Sequence, residues 1–351
     1  MKILIAASTM VHIKNFHQVY IDWLKQEGHR VYVMARGEGA DFNIDFKKRS
    51  LSFKNFKLSR RIKKIIQREG FDRIILHTSL ASFWVRMALK GIKNRPYVIN
   101  TVHGYLFGNS TSRLHNFVYL MCERLLRKQT DDILVMNDED YLIATENRLS
   151  LGTVYKINGM GVDFDKLVPC ETENTSKGLK SLLFVGEISK RKNQLFLVKA
   201  MKYLSEYRLI LVGDGDQRGK IEKYVKKNGL QAQVTVTGFT NEAYRYIQEC
   251  DIYVSASQIE GLPFNIMEAM YAKKPIVASN IKGHTDLLPL ASLYELNSLD
   301  AYISAVKNVT VEAQSYKTDI YSIKNVFDDN MALYVAKEKS SVRVEEKQPQ
   351  I

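Results

Sequence analysis

Ser257-Gln258-Ile259-Glu260-Gly261-Leu262-Pro263-Phe264-Asn265-Ile266-Met267-Glu268-Ala269-Met270 is the stretch on which the reading of the fold turns. A strand-like run, Asp251–Ser255, leads into it. Glu260 then lies on a loop, Gly261 permits close backbone approach, and Pro263 suits the first turn of a helix. Strand, glycine loop and helix in that order make one repeat of a parallel α/β sheet. The unpaired amides at such a helix start receive sugar hydroxyls or a phosphate. Glu268, about a turn and a half into the helix, offers a carboxylate able to accept from two vicinal hydroxyls, such as those of a ribose.

The same rhythm runs outward in both directions. Ser181–Val185, Arg208–Val212, Gln233–Thr237 and Pro275–Ala278 read as further strands of this half, separated by helical stretches. In the first half Ile3–Ala7, Val31–Ala35, Arg73–His77, Tyr97–Thr101 and Asp132–Met136 are strand-like. Residues 15–27 read as a helix ending before Gly28, and 58–69 as a basic helix. The polar, aperiodic stretch 170–180 reads as a linker. The 351 residues therefore divide into two Rossmann-like units, 1–162 and 163–325. A helix that crosses back to the first unit is expected over 326–340, and a disordered charged tail over 341–351. Open parallel sheets bind ligands beyond the carboxyl ends of their strands, so two such units facing each other put the chemistry in the cleft between them.

The formal net charge of +13 directs attention to polyanions. Basic clusters stand at Lys47-Lys48-Arg49 and Arg60-Arg61-x-Lys63-Lys64, and both read either as a membrane-facing surface or as solvated helix faces. No zinc-ligand spacing or nucleic-acid motif accompanies them, and charge alone does not make a nucleic-acid-binding protein. Cys122, Cys170 and Cys250 are odd in number and far apart, against a disulfide framework and in keeping with a reducing cytosol. Met1-Lys2 runs straight into a short apolar strand without the pattern of a signal peptide. No uncharged run is long enough to span a bilayer, so the expectation is a cytoplasmic protein with at most peripheral membrane contact.

Two more segments carry chemistry. Leu183-Phe184-Val185-Gly186-Glu187-Ile188-Ser189-Lys190-Arg191-Lys192 ends a strand at a glycine and continues into a cationic loop before a helix. Such cations serve a leaving nucleoside diphosphate, whose charge grows in the transition state. In Tyr97-Val98-Ile99-Asn100-Thr101-Val102-His103-Gly104, His103 follows a strand and precedes a flexible glycine, at the carboxyl edge of the first unit. His77 ends an earlier strand similarly. His12 is expected in the first strand-to-helix loop, on the acceptor side.

Taken in order, these motifs resemble the retaining glycosyltransferases of family 4, which have the GT-B fold. The likeness covers roughly residues 1–290, and it is closest to the subgroup in capsule and exopolysaccharide clusters. The glutamate pair Glu260 and Glu268, with Gly261-Leu262-Pro263-Phe264-Asn265 between them, is similar to that family's signature. The resemblance implies that Glu260 contacts the donor sugar and Glu268 the ribose. His103 would lie near the sugar, and Lys192 would match the family's lysine at the diphosphate. Glu187 stands where many members have arginine, which leaves either Lys190 or Arg191 to supply the second cation. Gly213 in a Gly-Asp-Gly turn would belong to the donor site, and Gly238-Phe239 would lie by the nucleobase. Asp163-Phe164-Asp165 has the spacing of a metal-binding pair but falls at the junction of the units, so no metal is expected.

The resemblance thus implies transfer of a hexose or N-acetylhexosamine from a UDP-sugar, with no cofactor. The implied acceptor is a polyprenyl-diphosphate-linked saccharide at an anionic membrane surface. A non-catalytic sugar-nucleotide-binding partner and a sugar-nucleotide 2-epimerase of the same fold are the competing readings.

Overall fold

The computed structural model describes residues 1–46, 53–167, 178–310 and 316–336. The Lys47–Arg49 cluster, Cys170, most of the expected linker and the tail from 337 lie outside them.

Two parallel sheets are present. The first has seven strands: β1 Lys2–Thr9, β2 Arg30–Arg36, β3 Phe42–Asn43, β4 Arg73–His77, β5 Tyr97–Thr101, β6 Asp132–Val135 and β7 Val154–Lys156. Their spatial order is β3-β2-β1-β4-β5-β6-β7. The second has six: β8 Lys180–Val185, β9 Tyr207–Val212, β10 Val234–Gly238, β11 Ile252–Ser255, β12 Ile276–Ser279 and β13 Leu293–Tyr294, in the order β10-β9-β8-β11-β12-β13. Ile3, Leu4 and Ile5 are buried, as are Leu182, Leu183 and Phe184. Helices cover both faces of such strands, which is why they read as unbroken apolar runs. β3, β7 and β13 are edge strands of two or three residues, too short to leave a pattern in the sequence.

Each sheet reverses its strand order once, between β1 and β4 and between β8 and β11. These are the two topological switch points, where adjacent loops part and open a crevice. The described helices are α1 Met10–Phe16, α2 Gln18–Gln26, α3 Phe53–Glu69, α4 Ser79–Leu89, α5 Arg113–Leu125, α6 Asp138–Glu146, α7 Gln194–Ala200, α8 Arg218–Lys227, α9 Ala243–Glu249, α10 Phe264–Tyr271, α11 Leu299–Asn308 and α12 Ile323–Val335, of which α1, α10 and α12 turn the crevices toward each other. Phe16 meets Phe264 edge to face, with ring centroids 4.8 Å apart. α12 lies after the second sheet in sequence but packs on the first unit. Its Phe327 stacks on Tyr20, Asn330 Nδ2 donates to the Gly159 carbonyl at 2.9 Å, and Arg73 Nη1 donates to the Tyr334 carbonyl at 2.5 Å.

Three local expectations are corrected. His12 sits within α1, not in a loop, because Thr9 caps the helix directly from the end of β1 by accepting from the His12 amide. The helix expected over 15–27 is two pieces, α1 and α2 Gln18–Gln26, broken at His17, whose φ and ψ of −128° and −6° are not helical. Pro263 stands one residue before the first turn of α10, as its N-cap, with extended backbone.

The basic helix α3 Phe53–Glu69 exposes Arg60, Arg61 and Lys64, whereas Lys63 reaches back to donate to the Lys90 carbonyl at 2.8 Å. Cys122 and Cys250 are free thiols.

Candidate active site

At the switch point of the second sheet, β8 ends at Gly186 and β11 runs into the Glu260 loop. Lys192 Nζ lies 2.5 Å from Glu260 Oε1, and Arg191 Nη1 lies 2.9 Å from Oε2. Of the two candidate second cations, Lys190 is exposed, while Arg191 turns inward and also donates to the Ile259 carbonyl at 3.0 Å. Glu187 is exposed to solvent and takes no part in this cluster. Burial alone would raise the Glu260 carboxyl, but the cations of Lys192 and Arg191 outweigh it and hold the group down at about 2. Glu260 is therefore an anion clamped by two cations.

The glycines of this half meet at neighbouring strand ends. The Gly186 amide donates to the Val212 carbonyl, and the Gly213 amide donates to the Gly238 carbonyl, both at 2.9 Å. A Cβ on Gly213 would fall 2.0 Å from the Gly186 carbonyl oxygen, so this floor requires bare backbone. Phe239, just beyond, keeps 79% of its surface exposed and makes no ring contact among the described residues. Asn265 Nδ2 donates to the Val185 carbonyl at 2.6 Å and ties the start of α10 to the end of β8. The first turn of α10 is partly satisfied from within, because the Ile266 amide donates to Asn265 Oδ1 at 3.1 Å.

Glu268 lies four residues after Phe264 and so shares its helix face toward the cleft. It has no ion pair among the described residues, and burial pushes its carboxyl up to about 7. The two carboxylates are thus driven to opposite extremes, one held ionised and the other poised near neutrality.

Gly261 joins the two halves. A Cβ there would lie 2.1 Å from the His103 carbonyl oxygen, and one on Gly104 would lie 2.8 Å from Gly261 Cα. The His103 and Glu260 loops therefore touch backbone to backbone. Leu262 fills the junction beneath, close to Gly159. Polar residues of both units fasten this contact, Lys282 among them without having been singled out in the sequence. Lys282 Nζ lies 2.7 Å from Asp140 Oδ1 and donates to the Phe107 carbonyl at 2.6 Å. Asn137 Nδ2 donates to the Gly261 carbonyl at 3.2 Å, and the Asp138 amide to Asp286 Oδ1 at 2.8 Å. Lys282 and Asp140 are both buried. An isolated lysine in a loop carries no local signal of such a role.

At the switch point of the first sheet four imidazoles pack together. His17 stacks on His77 with centroids 3.7 Å apart. His12 Nε2 and His17 Nε2 are 3.1 Å apart, as are His77 Nδ1 and His103 Nε2. Burial pushes His12 down to about 4 and His103 to about 3, and holds His17 and His77 well below the ordinary histidine value. Their neighbours' positive forms reinforce this, so near neutral pH the cluster is uncharged and each close nitrogen pair shares one proton. His17 was missed because its strand-to-helix segment reads as one continuous helix. Nitrogen atoms of His12, His17 and His103 lie within 4.8 Å of one another and could hold a metal ion. Asp163 and Asp165 pair separately with Lys166 and Lys324.

Residues 20–139 match the family model described as Glycosyltransferase Family 4, and residues 171–306 the model described as Glycosyl transferases group 1. A relative in Bacillus subtilis, "Putative glycosyltransferase EpsD", is 29% identical over 307 residues, covering 82% of this chain and 81% of its own. The "UDP-Gal:alpha-D-GlcNAc-diphosphoundecaprenol alpha-1,3-galactosyltransferase" of Escherichia coli is 28% identical over 265 residues, covering 70% and 68%. Among solved structures, Anabaena Alr3699/HepE in complex with UDP and glucose superposes with a TM-score of 0.67 over 95% of both chains. At 16% identity that likeness speaks for the fold.

Proposed function

Because the chain belongs to the family 4 glycosyltransferases of the GT-B fold and acts in polysaccharide biosynthesis, we propose that it retains anomeric configuration, needs no metal for transfer, and moves a hexose or N-acetylhexosamine from a UDP-sugar to a polyprenyl-diphosphate-linked saccharide. In this reading the second unit holds the donor and the first receives the acceptor. The chain works peripherally at the cytoplasmic face of the membrane. The observation that carries the reading is the pair of cations on Glu260, set beside the bare Gly186–Gly213 floor and against the His103 loop.

The donor diphosphate competes with the Glu260 carboxylate for Lys192 and Arg191. Glu260 is then free to accept from a hydroxyl of the donor sugar. As the bond from C1 to the diphosphate oxygen breaks, charge collects on that oxygen and the two fixed cations stabilise it. The acceptor hydroxyl forms its bond to C1 from the same face and passes its proton to the departing diphosphate. His103, kept neutral by burial, hydrogen-bonds the sugar and carries no charge of its own. Because two side-chain cations serve the diphosphate, the donor step requires none from solution. The EpsD and galactosyltransferase relatives support the polysaccharide setting, and the activity in the latter's name supports a UDP-sugar and a diphosphoundecaprenol acceptor.

A panel of nucleotide sugars tests the reading. UDP-sugars should raise the thermal midpoint, by an amount that grows with the logarithm of ligand concentration above Kd, and turnover should survive excess EDTA. Abolition of turnover by EDTA, restored by a divalent ion, would refute metal independence. A shift produced only by another nucleotide would refute the UDP assignment.

Glu268 gives a second, sharper test. Its folded-state pKa near 7 lies above the ordinary carboxyl value of 4.5, so its ionisation opposes folding. Stability linked to this group is complete below 4.5 and is lost as pH rises through about 7. Glu268→Gln should therefore stabilise the free protein at pH 8, with a gain that vanishes near pH 4.5. The same variant should bind UDP-sugar about tenfold or more weakly, since an amide oxygen accepts less strongly from a diol than a carboxylate does. Weaker stability at pH 8 with unchanged donor affinity would overturn the assignment.

A further inference from the structure

Helix α5, Arg113–Leu125, is built inside out. None of its thirteen residues is buried, although a helix on a globular protein ordinarily hides an apolar stripe. Leu114 and Phe117 expose 74% and 61% of their surfaces, and Val118, Met121 and Leu125 are exposed as well. At about 100° per residue these five fall within an arc of about 100°, so they form one continuous apolar stripe. Arg113 and Arg124 border it, and exposed Arg127 and Lys128 follow at its end.

The opposite side of the helix fastens it to the protein, where Leu120 packs on the cluster of Val102, Tyr105 and Phe107 beside a set of polar bonds. Glu123 takes two bonds from buried Arg86, at 2.8 and 3.0 Å, and Asn116 Nδ2 donates to the Gly108 carbonyl at 2.9 Å. His115 Nε2 lies 2.8 Å from the Leu106 carbonyl, three residues beyond His103. The helix is thus held to the loop that carries the first unit's contribution to the cleft, with its apolar stripe facing away from the protein.

We propose that α5 docks the protein on an anionic lipid surface, its apolar stripe lying in the headgroup–acyl boundary and its arginines on lipid phosphates. Charge favours this occupant over a second copy of the chain. The helix's one acid, Glu123, is turned inward onto Arg86, so two such faces brought together would set arginines against arginines with no counter-ion. A membrane supplies both the apolar layer and the negative charge. No helix among the described residues is long and apolar enough to cross a bilayer, so the contact is interfacial. The inference rests on the reading of a membrane-bound acceptor and adds an element that meets the lipid, α5, to the basic clusters singled out in the sequence.

Sedimentation with phosphatidylglycerol–phosphatidylcholine vesicles tests it. The wild type should bind, and part of the binding should persist at high salt, because the apolar contribution is not screened. A Leu114→Ser, Phe117→Ser, Met121→Ser variant should partition at least tenfold less. Its thermal midpoint and its turnover on a water-soluble acceptor analogue should stay unchanged, because exposed side chains support neither. Unchanged vesicle binding in the variant overturns the proposal, as does a wild-type dimer that the variant converts to monomer while lipid binding stays the same. Loss of soluble-acceptor turnover in the wild type itself would count against the transfer reading and leave the vesicle result to be judged separately.

Discussion

Lys192→Ala is expected to lower kcat by about two to three orders of magnitude, the usual cost of removing one preorganised group at a developing oxyanion. Lys192 is held 2.5 Å from Glu260 in a largely water-excluded position, whereas Arg191 is the more exposed of the two cations. Charge on the leaving diphosphate is greatest in the transition state, so kcat should fall more than donor affinity. Lys192→Arg should recover only part of the loss, because a planar fork does not reproduce a compact point charge in a site shaped for it.

The variant also alters Glu260. Its folded-state pKa of about 2 lies below the ordinary 4.5, so this group stabilises the fold above pH 4.5 and loses that contribution as pH falls toward 2. Without Lys192 the carboxyl is buried with one partner fewer, its pKa rises, and acid unfolding should begin at higher pH. A folded Lys192→Ala protein with full turnover and an unaltered acid transition would sink both the assigned role and the electrostatic account.

The second large effect concerns stability. Lys282→Met should destabilise the protein by about 3–5 kcal/mol, because it strands the buried Asp140 carboxylate. Lys282 reaches from the loop after β12 to Asp140 on α6, Asp138–Glu146, and to the Phe107 carbonyl, so it bridges the two units behind the site. Burial raises the Asp140 carboxyl, and Lys282 opposes that shift only in part. Removing the lysine therefore drives Asp140 further toward the protonated form, and the loss should be smaller at low pH than at pH 8. Pairing Lys282→Met with Asp140→Leu should restore much of the stability, since a buried ion pair replaced whole is often near neutral. Urea unfolding at two pH values measures all three variants. Equal stability of wild type and Lys282→Met would show that the pair contributes nothing to holding the units together.

Strand positions were readable because a parallel sheet covered on both faces demands continuous apolar runs. β4 and β5 coincide with the expected Arg73–His77 and Tyr97–Thr101. The placement of Glu260, Glu268, Lys192 and His103 was also readable, as each lies beyond a strand's carboxyl end, in the loop or on the helix that follows. His17 was not: its side chain is defined by the stack on His77, sixty residues away along the chain, and helical periodicity continues through it.

By itself, then, the order of residues determined two doubly wound sheets, the position of each crevice and the residue types standing at its rim, since backbone hydrogen bonding and burial obey local periods of two and about 3.6. Tertiary structure alone decided that Arg191 rather than Lys190 meets Glu260, that four histidines share protons, that Lys282 spans the units, and that α5 keeps its apolar face uncovered. Those outcomes depend on which distant surfaces come into contact when the two units close, and no period along a single segment records the partner on the other side.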